Sequence, residues 1–169
     1  FKTKNLKYFR PKKYLSVHHH WDFAFSKAKG DWVLLLCDDD ILDLGCLDCL
    51  NKNIKKYPNL ECFFWYYGYF KKEKKNGNIK TTFSLPEVNN KSEIINSSSI
   101  LNKIFQAGNG IANEHKLNIP FLFRTVYSRK LLERIRKFFG HYVIGPEPMA
   151  GSGQLCLALT DNIVKINKV

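Results

Sequence analysis

Apolar positions along the chain fall into two alternating kinds of segment. In some they recur every three or four residues; in others they form short unbroken runs bounded by glycine, proline or charge. The first spacing marks one face of a helix, the second a strand covered on both sides. "NLKYFRP" reads as a short strand stopped by Pro11, after which Trp21, Ala24, Phe25 and Ala28 form one helical face closed by Gly30. "DWVLLLC" is the continuous run expected of a buried parallel strand over 32–37. Leu44, Leu47, Leu50 and Ile54 predict a second helix ending before Pro58.

Beyond Pro58 the aromatic stretch "ECFFWYYGYF" predicts a strand, and "KKNGN" with "IKTTFS" predicts a hairpin turn and a return strand. "NNKSEIINSSSILNKIF" reads as a helix entered through an Asn or Ser cap, "AGNGIANEH" as a loop and "FLFRTVY" as a strand. The clearest helix is "SRKLLERIRKFFG": Ser128 caps it, Leu131, Leu132, Ile135, Phe138 and Phe139 form its apolar face, and Gly140 ends it. "PEPMAGSGQLCLAL" turns into a last apolar helix. Strands alternating with helices, without repeat or linker, predict a single α/β domain over 1–169, a sandwich with a mostly parallel central sheet. Ligands of such sheets bind beyond the carboxyl ends of strands, which is where this reading puts Asp38, Asp39 and Asp40.

With 169 residues, 44% hydrophobic and 14% aromatic, the chain can bury a sizeable core, which excludes a disordered tail. Its net charge of +12 favours phosphate-bearing partners: nucleic acid, an anionic membrane surface or a nucleotide. Arg124, Arg129, Lys130, Arg134 and Arg136 are candidates for a basic helix face that meets such a group, although scattered basic residues also suit a solvated surface. The five cysteines are odd in number and lack paired zinc spacing, and "CLDC" has no second pair, so they read as reduced residues of a cytoplasmic protein. No run reaches the ~18 apolar residues of a membrane span and no stretch reads as a signal peptide, so the expectation at a membrane is peripheral contact. His18, His19 and His20 are adjacent and cannot share one metal, so they read as surface or capping residues.

Three adjacent carboxylates behind an apolar run ask for a positive partner. A helix cap by Asp40 or Asp43 accounts for one of them. A divalent cation accounts for the cluster: Mg²⁺ or Mn²⁺ takes one or two carboxylates and keeps positions open for phosphate oxygens. Two reactions then remain, glycosyl transfer with a metal-neutralised diphosphate leaving group, and phosphoryl displacement between two metals. The second needs another acidic cluster, and Glu61, Glu87, Glu93, Glu114, Glu133, Glu147 and Asp161 form none in sequence.

"HWDFAFSKAKGDWVLLLCDDDIL" resembles the segment of family 2 glycosyltransferases in which a helix, a turn and an apolar strand lead to a DxD-type metal motif, and within them the subgroup with three successive aspartates. "IPFLFRTVYSRKLLERIRKFFGHYVIGPEPMAGSGQLCLAL" resembles the acceptor-side part of the same subgroup. The likeness covers about four-fifths of the chain as pattern. It implies a GT-A fold, a Rossmann-type sheet, with a nucleoside-diphosphate sugar as donor and a glycan, lipid-linked or protein hydroxyl as acceptor. It puts the metal, Mn²⁺ or Mg²⁺, on Asp39 and Asp40, and the nucleotide-sugar on Asp38 and Asp39. Cys37 stands where many members carry the first aspartate of the motif. The Pro-Asp element reads Pro148-Met149, which leaves Glu147 as the candidate catalytic base, and His20 stands where the subgroup often has Asn. "FKTKNLKYFRP" resembles the third strand of such a domain, so the expectation is an N-terminally truncated fold. The rival readings are a nucleic-acid-binding protein using "FFWYYGYF" and the lysines, and a non-catalytic glycosyltransferase remnant.

Overall fold

The computed structural model describes residues 5–75, 77–84, 91–107, 119–144 and 148–167. In chain order these form α1 (Val17–Lys27), β1 (Trp32–Leu34), α2 (Cys46–Lys56), β2 (Cys62–Trp65), β3 (Tyr69–Lys75), β4 (Asn78–Ser84), β5 (Ser92–Asn96), α3 (Ser97–Ala107), a 3-10 turn (Leu122–Arg124), β6 (Thr125–Ser128), α4 (Arg129–Phe139), α5 (Pro148–Leu159) and β7 (Asn162–Ile166).

Strands β1-β6-β2-β7-β5 make one sheet in that order. Its direction departs from the expectation: β6 is antiparallel to both β1 and β2, β5 is antiparallel to β7, and only β2 and β7 run parallel. An apolar run encodes burial on two faces but not the direction of its neighbours. Direction is set here by where β6 ends. The Ser128 N–H donates to the Glu61 carbonyl at 2.8 Å and the Arg129 N–H to the Asp31 carbonyl at 2.7 Å, so the end of β6 lies beside the starts of both flanking strands.

Alternation along the strands divides the core. One face carries Val33, Cys62, Phe64, Tyr127 and Ile163, packed with Phe25 of α1, Ile100 and Ile104 of α3, Leu131, Leu132 and Ile135 of α4, and Leu155 and Leu157 of α5. The other carries Phe63, Trp65, Val126, Val164 and Ile166 beneath Cys46 and Leu50 of α2. The protein is therefore a mixed α/β sandwich with helices on both faces of a mostly antiparallel sheet.

Local signals held where they were chemical. The Ser128 hydroxyl accepts from the Leu131 N–H at 3.0 Å and caps α4, which stops at Gly140 in the left-handed region (φ 78°). Asn96 caps α3 through the Ser99 N–H. The hairpin forms with Gly77 at φ 80°, as a two-stranded sheet of its own.

Other expectations are corrected. Residues 5–15 hold no strand, and α1 closes at Ala28, before Gly30. β1 is only three residues long, and the chain from 35 to 37 leaves the sheet. α2 begins at Cys46, so its buried stripe is Cys46 and Leu50, and Leu44 and Leu47 are exposed; neither Asp40 nor Asp43 is its cap, a position held by Gly45. The apolar face of α4 is buried only as far as Ile135, leaving Phe138 and Phe139 exposed. A periodic face shows which side packs, not how far the cover extends. "SEIIN", expected within a helix, is β5, and "NIVKI", assigned to no element, is β7.

Candidate functional site

After β1 the chain turns: the Asp40 N–H donates to the Cys37 carbonyl at 3.3 Å, with residues 38 and 39 at the bend. This folds positions 37, 39 and 40 toward one another. A Cys37 Sγ and carboxylate oxygens of Asp39 and Asp40 lie within 4.8 Å of each other, the one such cluster of His, Cys, Asp and Glu among the described residues. Asp38 is not in it. All three aspartates are exposed, on a turn that stands clear of the short strand, so they are solvated rather than buried at a strand end.

Cys37, which the resemblance put only at the position of the motif's first aspartate, joins this group; its i, i+2, i+3 spacing to the two aspartates was the available signal. Partial burial raises its thiol pKa, and the charges of Asp40, Asp39 and Asp38 raise it further, so it stays protonated at neutral pH. Glu147 lies outside the described residues.

The turn forms one wall of a cavity of about 350 Å³. Leu36, Cys37, Asp39 and Asp40 lie on that side; Trp65 comes from the end of β2 and Tyr67 from the chain just after it, Phe121, Phe123 and Arg124 from the segment before β6, and Met149 from the start of α5. Arg124 was expected on a helix face. It instead occupies the 3-10 turn, only 2% exposed, its guanidinium carbon 4.7 Å from the Phe121 ring centre, 5.1 Å from Tyr67 and 5.2 Å from Tyr66. Arginine is weakly hydrated and stacks on aromatic faces, so it tolerates this burial where lysine would not. The cavity thus has an acidic wall open to water and a buried cation in another wall. A larger groove of about 930 Å³ along residues 8–15 and His20 contains no carboxylate and is not the site.

Several of the remaining candidates have structural roles. Arg129 donates to the Gly30 carbonyl, Arg134 to the Glu61 carboxylate and the Leu159 carbonyl, and Arg136 to the Tyr142 hydroxyl, so these three arginines tie α4 to its neighbours and to the turn after it. Asp22 of α1 accepts from the Tyr142 and Val143 N–H groups and lies 3.3 Å from His141. His18 and His19 contact the Ser16 hydroxyl at the start of α1. Cys46 is fully buried, and burial first, then Cys49 and Asp43, pushes its thiol up to about 11, which removes "CLDC" as a thiolate pair at neutral pH. Of the aromatic run, Phe63, Phe64 and Trp65 are buried in the sheet and cannot stack on bases. No helix of the described residues is long and apolar enough to cross a membrane.

No protein-family model matches the chain, and no curated protein matches it.

Proposed function

We propose that the chain is a metal-dependent glycosyltransferase domain of GT-A type, transferring sugar from a nucleoside-diphosphate donor to an acceptor hydroxyl. The observation that carries this is the cavity: Asp39 and Asp40 converge on one wall and the Arg124 guanidinium sits in another. A bound diphosphate would meet the carboxylate wall through a metal and feel the positive field of the buried Arg124. Its oxygens suit a metal held by the carboxylates, and its remaining negative charge suits a guanidinium. The helices on both faces of the sheet are compatible with a GT-A architecture.

The donor set fits Mn²⁺ or Mg²⁺. Two carboxylates leave coordination positions for phosphate and water, and the protonated Cys37 thiol beside them adds no charge to the set. Bound there, the ion would neutralise charge on the diphosphate leaving group. Asp38, outside the metal group, is left for the nucleotide. Trp65, Tyr67 and Phe123 give apolar walls that exclude water from the sugar. Glu147 keeps its assignment as base from the family resemblance. The acceptor class is a glycan, a lipid-linked hydroxyl or a protein hydroxyl.

The test is thermal unfolding with a panel of nucleoside diphosphates, each with and without Mn²⁺. One nucleotide at hundredfold excess over its Kd should stabilise by about 2.7 kcal/mol, only when Mn²⁺ is present. Asp39→Ala/Asp40→Ala should abolish that shift while unfolding at nearly the unliganded temperature. A folded protein that no nucleotide stabilises sinks the reading.

A further inference from the structure

The β3–β4 hairpin is the least accounted-for part of the molecule. It pairs only with itself as a sheet, and a lone hairpin is marginal in water. Register and alternation sort its side chains. Phe70 opposes Phe83, Lys72 opposes Thr81 and Lys74 opposes Ile79, all on one face. On that face Phe70, Ile79 and Phe83 are 53%, 69% and 70% exposed. The two phenylalanine rings meet edge to face at 5.5 Å, and the Lys72 ammonium lies 5.5 Å from the Phe70 ring centre. The opposite face is polar, with Lys71 paired to Glu73 at 2.6 Å and Lys80 opposite Glu73. The whole hairpin carries five lysines and one glutamate.

We infer that this face docks the protein on an anionic lipid surface. Apolar residues flanked by lysines on one side of a thin element match a bilayer interface, where the rings and Ile79 enter the acyl boundary and the ammonium groups stay with the headgroups. The face suits nucleic acid less well: Ile79 has no stacking surface for a base, and Phe70 and Phe83 are already packed on each other. Position adds a consequence. Tyr67 lines the cavity and β3 starts two residues later, so a hairpin on the membrane holds the cavity near the headgroups. That arrangement suits an acceptor carried on a lipid, and it names the surface behind the peripheral contact expected from charge alone.

The experiment is cosedimentation of the whole chain with vesicles of phosphatidylcholine and of phosphatidylcholine mixed with phosphatidylglycerol, without metal or donor. A dead transfer site therefore leaves the result intact. Binding should require phosphatidylglycerol and weaken with salt. Lys72→Ala/Lys74→Ala, which keeps the phenylalanine pair, should bind about 25-fold more weakly, about fivefold per lysine. Ile79→Ser should weaken binding without changing its salt dependence. Lys71→Ala/Lys80→Ala removes the same charge from the opposite face and should lose clearly less. Equal losses from the two faces, no vesicle binding, or binding to single-stranded RNA in its place would overturn the proposal.

Discussion

Glu61 shows how a single carboxylate holds three elements. It precedes β2, accepts two N–H groups from Arg134 of α4 at 3.0 and 2.6 Å, and accepts the hydroxyl of Ser128 at 3.2 Å. Burial works against its charge, but the hydrogen bond and charge of Arg134, the Ser128 hydroxyl and the Lys130 charge prevail, holding the carboxyl below its ordinary range. A folded value below the unfolded one means that the ionised group stabilises the fold above the unfolded pKa, and that this contribution disappears as pH falls through the folded value. Glu61→Gln should therefore cost about 1–2 kcal/mol at neutral pH. The gap to wild type should close in acid, below the ordinary carboxylate range, in paired urea melts; a gap independent of pH would show that packing, not charge, is at work. At this scale the sequence was legible where chemistry is local: Ser128 and Gly140 announce the ends of α4 without help. Arg124 was not, because nothing in "FLFRTVY" states that the arginine turns inward onto three rings.

Among the elements, α5 matters most to the cavity. It lies so close to the segment before the 3-10 turn that a Cβ on Gly153 would stand 1.9 Å from the Pro120 carbonyl oxygen and 2.8 Å from its carbon. Both are backbone atoms, so no side chain can move aside. Met149 rides on this helix and Phe121 adjoins Pro120, so the contact sets the distance between two walls of the cavity. Gly153→Ala should destabilise by about 1–3 kcal/mol through overpacking, and it should weaken any Mn²⁺-dependent nucleotide binding while leaving any binding of Mn²⁺ alone at the proposed 37–40 site unchanged. Calorimetric titration separates the two. Sequence pattern identified α5 as apolar but could not show which glycine faces a backbone. It misplaced α2 by phase for a related reason: Leu44 and Leu47 fit a helical stripe, yet the helix begins too late for Leu44 and turns Leu47 outward.

Across the whole molecule, stability is concentrated in the middle of the sheet. β2 is buried at all four positions and lies between β6 and β7, whereas the β3–β4 hairpin exposes Phe70, Ile79 and Phe83 together with Lys71, Lys72, Lys74 and Lys80. Amides opening only by global unfolding are expected in β2 and β7, and fast local opening in the hairpin. Hydrogen exchange on the free protein tests this; hairpin protection equal to that of β2 would contradict it. The hairpin should gain protection on anionic vesicles if it docks there.

By itself the sequence determined the alternation of helices and buried strands, the capped α4, the hairpin turn and the acidic triplet. Each of these is encoded within a few residues, through side-chain period, cap chemistry or backbone sterics. Only the tertiary structure decided the mostly antiparallel direction of the sheet, the recruitment of "NIVKI" as its parallel strand, the gathering of Cys37 beside Asp39 and Asp40, and the burial of Arg124 in the same cavity. Those depend on which distant segments become neighbours, and a pattern that records burial carries neither the partner nor its direction.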